Sequence, residues 1–219
     1  MLRTISQSLL SFVFPSSCEL CGSLLPAAEQ TALCERCECS LPLAGLSVQA
    51  QNELFHFDRL FAACLYENNV KKLLRAFKFR RRLLLRPNLV RLLGRRLETV
   101  PDKPWDLVAA VPMPAPLQRE RGFNQAELLA RGVSGILQRP FLKKALALTG
   151  PLKQQSKLGK TERRENVRGH FRAKKTVRGM NVLLVDDILT TGQTASECAR
   201  AFKEAGAKTV DVLVVARGL

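Results

Sequence analysis

Acid is scarce in this chain, and so are histidine and the larger aromatic rings: 19 Asp and Glu stand against 35 Lys and Arg, with two His, one Trp and one Tyr. The deficit of acid leaves a formal charge of +16, which disfavours basic partners and favours polyanions: nucleic acid, phosphorylated metabolites or acidic headgroups. So few large rings predict weak recognition by stacking. His56 and His170 are isolated in sequence and read as ordinary residues rather than ligands. No apolar run reaches the length of a membrane span, and Leu9 to Phe14 is too short and lacks a small-residue cleavage site after it. A cytosolic location is expected. Neither a Gly-x-x-x-x-Gly-Lys-Ser/Thr loop nor a Gly-x-Gly-x-x-Gly turn occurs, so nucleotide hydrolysis and dinucleotide binding lose their usual support.

What is present is enough for a core: of 219 residues, 46% are hydrophobic. The pattern predicts an N-terminal helix and small module over residues 1–45 and an α/β domain over 46–219. Leu2, Ile5, Leu9 and Phe12 fall on one side of a helix ending near Pro15, suited to packing on the domain, with a peripheral contact at the inner membrane as the alternative. Strands are expected at Leu60–Tyr66, Leu107–Val111, Val182–Val185 and Thr209–Ala216. Helices are expected at 68–80, 87–98, Gln125–Leu137 and Thr194–Ala205. Apolar strands alternating with helices imply a parallel sheet covered on both faces. The polar, basic stretch Gly150–Gly179 reads as a mobile arm beside the site.

The most informative segment is Val182-Leu-Leu-Val-Asp-Asp-Ile-Leu-Thr-Thr-Gly-Gln-Thr194. Ligands of open parallel sheets sit beyond the carboxyl ends of the strands, and two carboxylates stand where the buried run stops. Ionised, Asp186 and Asp187 only accept hydrogen bonds, which suits adjacent sugar hydroxyls and repels a bare phosphate. The residues after them have the opposite character. Thr190, Thr191 and Thr194 offer hydroxyl donors, Gly192 lets backbone N–H groups approach closely, and with Gln193 they lead into a helix N-terminus, where an anion is stabilised. A polyol clamp followed at once by a phosphate cradle describes a ribose carrying a 5-phosphate. The bland reading is that the acids cap a helix and the glycine makes a turn; the combination weighs against it.

Prolines end the strand at Leu107–Val111, and Arg119 and Arg121 follow in Pro112–Gln125. This loop fits a pyrophosphate grip and a solvated connector equally. Cys18-x2-Cys21 and Cys34-x2-Cys37, separated by twelve residues, have four-thiolate zinc spacing, and a closed set of four thiolates makes the ion structural. Cys39 is a competitor for the place of Cys37, disfavoured by the spacing. Cys64 and Cys198 read as core thiols. From Lys71 to Arg96 there are eleven Lys or Arg and no acid. Within it, Lys71, Lys72, Arg75, Lys78, Arg80, Arg81 and Arg82, with Phe77 and Phe79 interleaved, are candidates for tracking single-stranded DNA. A solvated helix face with both rings in the core is the alternative.

The acid pair and its loop resemble the ligand-binding motif of type I phosphoribosyltransferases, whose substrate is phosphoribosyl pyrophosphate (PRPP) with magnesium. Arg121-Gly-Phe-Asn-Gln125, Glu162-Arg-Arg-Glu-Asn166 upstream of Phe171, and the cysteines together resemble the ComF (ComFC/GntX-like) family. The resemblance implies a type I phosphoribosyltransferase-like parallel sheet over 46–219 beside a four-cysteine zinc module. It implies that Asp186 and Asp187 bind the ribose hydroxyls, directly or through magnesium and water, and that Thr190–Thr194 bind the 5-phosphate. It also implies a role in uptake of single-stranded DNA in transformation, or in DNA utilisation, with other DNA-uptake proteins at the inner membrane as partners. The alternatives are a phosphoribosyltransferase with an unnamed acceptor and a non-catalytic PRPP sensor. Two departures stand out: Thr190 replaces the acid of many nucleobase-specific members, and Ala147, Leu148, Thr149 and Leu152 precede Gln155 where arginines and a threonine are expected.

Overall fold

Strands that are apolar at nearly every position need cover on both faces, and two layers of helix and hairpin supply it. The structure, a computed structural model, describes residues 17–26, 31–45, 48–49, 55–80, 82–149 and 169–218. The expected helix over 1–15, Arg81, Gln155, Glu162–Asn166 and most of the polar arm lie outside the described residues.

In chain order the elements are α1 (Glu35–Cys39), β1 (Val48–Gln49), β2 (Arg59–Leu65), α2 (Asn68–Phe79), α3 (Arg86–Glu98), β3 (Leu107–Ala110), α4 (Ala115–Arg121), α5 (Gln125–Leu137), β4 (Leu146–Leu148), β5 (Phe171–Ala173), β6 (Asn181–Leu189), α6 (Gln193–Glu204) and β7 (Thr209–Arg217). The main sheet has the order β1-β2-β7-β6-β3. Its four longer strands are parallel and β1 pairs antiparallel at the edge. Strand periodicity divides the core in two. Leu183, Val185, Leu213 and Val215 pack with α2, α3, α5 and the cysteine segment. Val182, Leu184, Val212 and Val214 pack with α6 and the β4–β5 hairpin.

Three differences from the sequence reading have physical reasons. β6 does not stop at Val185 but stays in register with β7 through Leu189↔Arg217, so the hydrogen-bonded ladder, not side-chain polarity, sets its end. Residues 115–121 form α4 rather than a loop: Pro116 sits in its first turn, where a missing N–H costs nothing. Phe171–Ala173, inside the stretch read as an arm, pairs with Leu146–Leu148, and buried Phe171 anchors it. A fourth feature went unseen. Asp211, 1% exposed near the start of β7, accepts from Trp105 Nε1 at 2.7 Å and pairs with Arg59 at 2.7 Å, a polar knot inside an apolar strand.

The cysteine segment shares the first core through Cys18, Leu25, Ala32, Leu33 and Leu41. Its polar anchor is Glu38 of α1, 3% exposed, which accepts from Asn88 at 2.6 Å and Arg91 at 2.7 Å and lies 3.5 Å from Arg95. Burial alone would raise the Glu38 pKa; the hydrogen bonds and charges of its partners outweigh burial and hold it low. Asn88 also accepts from the Ala32 N–H at 3.1 Å. Removing one partner of a buried ion pair costs ~3–5 kcal/mol, less where the arginines are half exposed. Glu38→Ala should therefore lower unfolding free energy by roughly 2–3 kcal/mol in urea titrations, whereas an unchanged midpoint would mean that the anchor carries no weight.

Candidate functional site

A cavity of about 650 Å³ opens at the carboxyl ends of β3 and β6. Two loops and one helix end build it, and each has a local cause. After β3, Pro114 caps α4 and Gly122 ends it with φ +86°, a left-handed backbone that glycine adopts without strain. The next residues have separate tasks. Phe123 packs on Phe77 with ring centroids 5.8 Å apart. Asn124 caps α5, accepting from the Ala126 N–H at 3.0 Å while donating to the Val111 carbonyl at 3.0 Å, and so ties the loop to its strand. Gln125 is 2% exposed, accepts from Arg121 at 3.3 Å through Oε1, and its Nε2 has no partner among the described residues.

On the other side, Gly192 caps the N-terminus of α6 with φ +73°. A Cβ there would come within 2.7 Å of the Phe55 ring, so glycine is required by space as well as by backbone. Phe55 stacks on Phe57, and the His56 N–H donates to Ser196 Oγ at 3.0 Å, which fixes this segment over the start of α6. The cavity wall here holds Thr190, Thr191, Gly192, Gln193 and Thr194, at the N-terminus of a helix, where an anion is stabilised.

Between the two lie the acids. Because β6 continues through them, Asp186 and Asp187 leave the strand toward opposite sheet faces, yet both line the cavity at its edge. Asp187 is 5% exposed, and its Oδ2 lies 2.8 Å from Lys78 Nζ of α2. Burial pulls the Lys78 pKa down, but the charge and hydrogen bonding of Asp187 outweigh it, so the ammonium is held charged. Asp186 accepts from the Asp187 N–H at 2.8 Å. Burial, then the charge of Asp187, push its carboxyl up to about 8 against the opposing charge of Lys78.

The other sequence-marked residues divide. Arg121 and Arg75 line the cavity; Arg119 is exposed and does not. Lys78, grouped by sequence with a DNA-facing surface, turns inward to Asp187 instead. It follows the buried stripe Val70, Leu73, Leu74, Phe77 and lies four residues past Leu74, which was the signal available in the sequence. Arg80 and Arg82 are exposed but face Glu19, at 3.9 and 3.2 Å, beside the cysteines. Lys71 and Lys72 are exposed. The phenylalanines split: Phe77 is fully buried and Phe79 is 65% exposed on the cavity wall, with the Arg121 guanidinium 5.0 Å from its ring centroid. Tyr66 and Gln125, which sequence reasoning did not single out as ligand contacts, also line the cavity.

The Sγ atoms of Cys18, Cys21, Cys34 and Cys37 lie within 4.8 Å of one another, and Cys39 is exposed outside the set. Sulfurs around a tetrahedral ion at ~2.3 Å would be about 3.8 Å apart, and Cys21 and Cys34 are 3.7 Å apart. Four thiolates this close need a cation. Without one, burial and the neighbouring sulfurs push Cys37 up to about 12. The donor set thus fits a metal ion.

Comparison with known proteins agrees with this geometry. The phosphoribosyl transferase domain family matches residues 120–219. The chain is 31% identical over 207 residues to the DNA utilization protein YhgH of Escherichia coli O157:H7, covering 92% of this chain and 84% of that protein. It is 39% identical over 106 residues to competence protein ComFC of Bacillus subtilis, 48% of this chain and 41% of that one. Against competence protein F of Haemophilus influenzae it is 27% identical over 168 residues, 74% of this chain and 73% of that one. With a phosphoribosyl transferase domain behind a four-cysteine cluster, and with identity to YhgH running along most of both chains, the chain belongs to the ComF family.

Proposed function

We propose that the protein binds PRPP with magnesium and acts on single-stranded DNA, in its uptake during natural transformation or in its utilisation. One observation carries this reading: a carboxylate pair and a hydroxyl- and N–H-rich helix start share one cavity wall, in a chain whose relatives are named for DNA utilisation and competence. Asp186 and Asp187 take the ribose hydroxyls or a magnesium ion, and Thr190–Thr194 take the 5-phosphate. Magnesium would neutralise phosphate charge when bound. Arg121 and Lys78, which line the cavity, would meet the remaining phosphates, and Arg119, exposed and off the cavity, would not. No acid occupies position 190, so a base-assisting carboxylate of the nucleobase-salvage kind is absent from this loop. Transfer to an acceptor is the second reading, supported by the space left beside Phe79 and Tyr66.

Calorimetry should detect magnesium-dependent PRPP binding, and Asp187→Ala should weaken it roughly 10- to 150-fold through lost charge-assisted hydrogen bonds. Asp186 adds a pH signature. Its folded pKa of about 8 lies above its unfolded value, so the stability it contributes is present at low pH and lost as pH rises through about 8. An ionised carboxylate is needed at the ligand, so binding near pH 7 should release a proton, seen as a dependence of binding heat on buffer ionisation enthalpy. Asp186→Asn should abolish that release. No PRPP binding by the wild type at any magnesium concentration would end the sugar-phosphate reading.

The four-cysteine set takes one zinc ion as a structural staple, and metal analysis should find one zinc per chain. Cys37→Ser should lose it and Cys39→Ser keep it; the reverse pattern would move the ligand to Cys39.

For the strand, Lys71, Lys72 and Arg75 remain as the exposed cations of α2, since Lys78 faces inward and Arg80 and Arg82 face Glu19. Three phosphate contacts at a slope near −0.7 each predict that a fourfold rise in salt weakens single-strand binding roughly 20-fold. Replacing Lys71 and Lys72 by Gln should flatten the slope; an unaltered slope would place the DNA elsewhere.

A further inference from the structure

We infer that Phe79, Arg121 and Gln125 form a nucleobase subsite at the mouth of the cavity, a reading that rests on the sugar-phosphate assignment for its ligand class. The other large apolar residues of α2, among them Val70, Leu73, Leu74 and Phe77, are buried to within 1%. Phe79 alone breaks the pattern, with 65% of its surface exposed on the cavity wall. The exposed ring shares its wall with Met113, Pro116 and Leu117 as well as with charged groups, and it has apolar surface to cover. Arg121 lies over this ring at 5.0 Å and orients it.

The second observation concerns the amide that the same arginine holds. Arg121 donates to Oε1 of Gln125 at 3.3 Å, which fixes the amide so that Nε2 is the group left over. That nitrogen is buried and without a partner among the described residues, and an unmade buried hydrogen bond is a standing cost that an acceptor on a ligand would remove. A planar heterocycle with an acceptor on its edge meets both needs, its face on Phe79 and its edge on Gln125. A phosphate would suit Arg121 but leave the ring bare, and an aliphatic group would leave the amide unmet. Asp186 and Asp187 line the same cavity, so a sugar held by the acids and a base held by Phe79 would share it.

The base can come free or as the last residue of a single strand. Lys71, Arg75 and Phe79 are spaced i, i+4, i+8 along one face of α2, with Arg75 and Phe79 on the cavity wall, so a strand whose phosphates meet the cations ends with a base at the ring.

Fluorescence of 2-aminopurine, which falls on stacking, tests this directly. Three probes are titrated with magnesium and PRPP present: free 2-aminopurine, and a short deoxyoligonucleotide carrying it at its end or at its centre. Saturable quenching is expected, weakened roughly 5- to 150-fold by Phe79→Leu and kept by Phe79→Tyr, which retains the ring. Gln125→Glu keeps an acceptor for Arg121 but removes the amide donor, and should weaken binding roughly 2- to 10-fold. Thermal melting establishes that each variant is folded. Quenching of the end-labelled strand above the centre-labelled one assigns the subsite to a strand terminus, and quenching of the free base alone assigns it to a small acceptor. Quenching indifferent to Phe79→Leu overturns the subsite, as does silence from all three probes in a protein that binds PRPP. Phe79-dependent quenching in a protein that does not bind PRPP keeps the subsite and removes the sugar-phosphate reading.

Discussion

An ammonium and a carboxylate 2.8 Å apart, both largely withdrawn from water, hold the site together. Two adjacent aspartates within a buried strand would repel each other and attract water into the sheet. Lys78 supplies the counter-charge for Asp187, and Asp186 meets the remaining repulsion by keeping its proton. The same contact joins α2, far upstream in the chain, to the strand that carries the acids. An incoming ligand therefore exchanges partners within a balanced set of charges instead of entering a bare anionic pocket. Such exchange favours ligands that bring both cation and anion, as a metal-bound phosphate does, over neutral sugars.

Much of the architecture was legible in the sequence because burial leaves a period. Gln125–Leu137 is a helix with the bounds that its apolar spacing predicts, and Thr209–Ala216 is extended by one residue. The acid pair and its loop were legible for a different reason: alternating acceptor and donor chemistry over nine residues has few structural excuses. What escaped was decided by contacts between distant segments. The end of β6 depends on pairing with β7, and α4 depends on where Pro116 falls in a turn. Lys78 looked like one cation among eleven, although its place one step beyond a buried stripe marked it as the one turned inward.

The stretch Arg121-Gly-Phe-Asn-Gln125 shows how closely fold and site are interleaved. Gly122 stops one helix, Asn124 starts the next, and Phe123 locks the turn on Phe77. Arg121, Asn124 and Gln125 line the cavity, and the Asn124 amide is already engaged by the Val111 carbonyl and the Ala126 N–H. A short motif can thus be mostly scaffolding, with its chemistry confined to its ends. The cysteine segment behaves likewise: Glu19 and Glu38 bind it to the arginines after α2 and on α3, so the cluster braces the helix that carries Lys78.

The close approach of Phe55 to Gly192 has a consequence for what counts as a module. Residues 120–219 contain every group of the proposed phosphate cradle, yet the ring that shapes it, the lysine that balances Asp187 and the strand beside β7 all come from earlier in the chain. A graft of the later half onto a foreign sheet would transplant the lettering of the site without its geometry. The inheritable unit is set by who touches the glycine, and it begins at least as far back as residue 55.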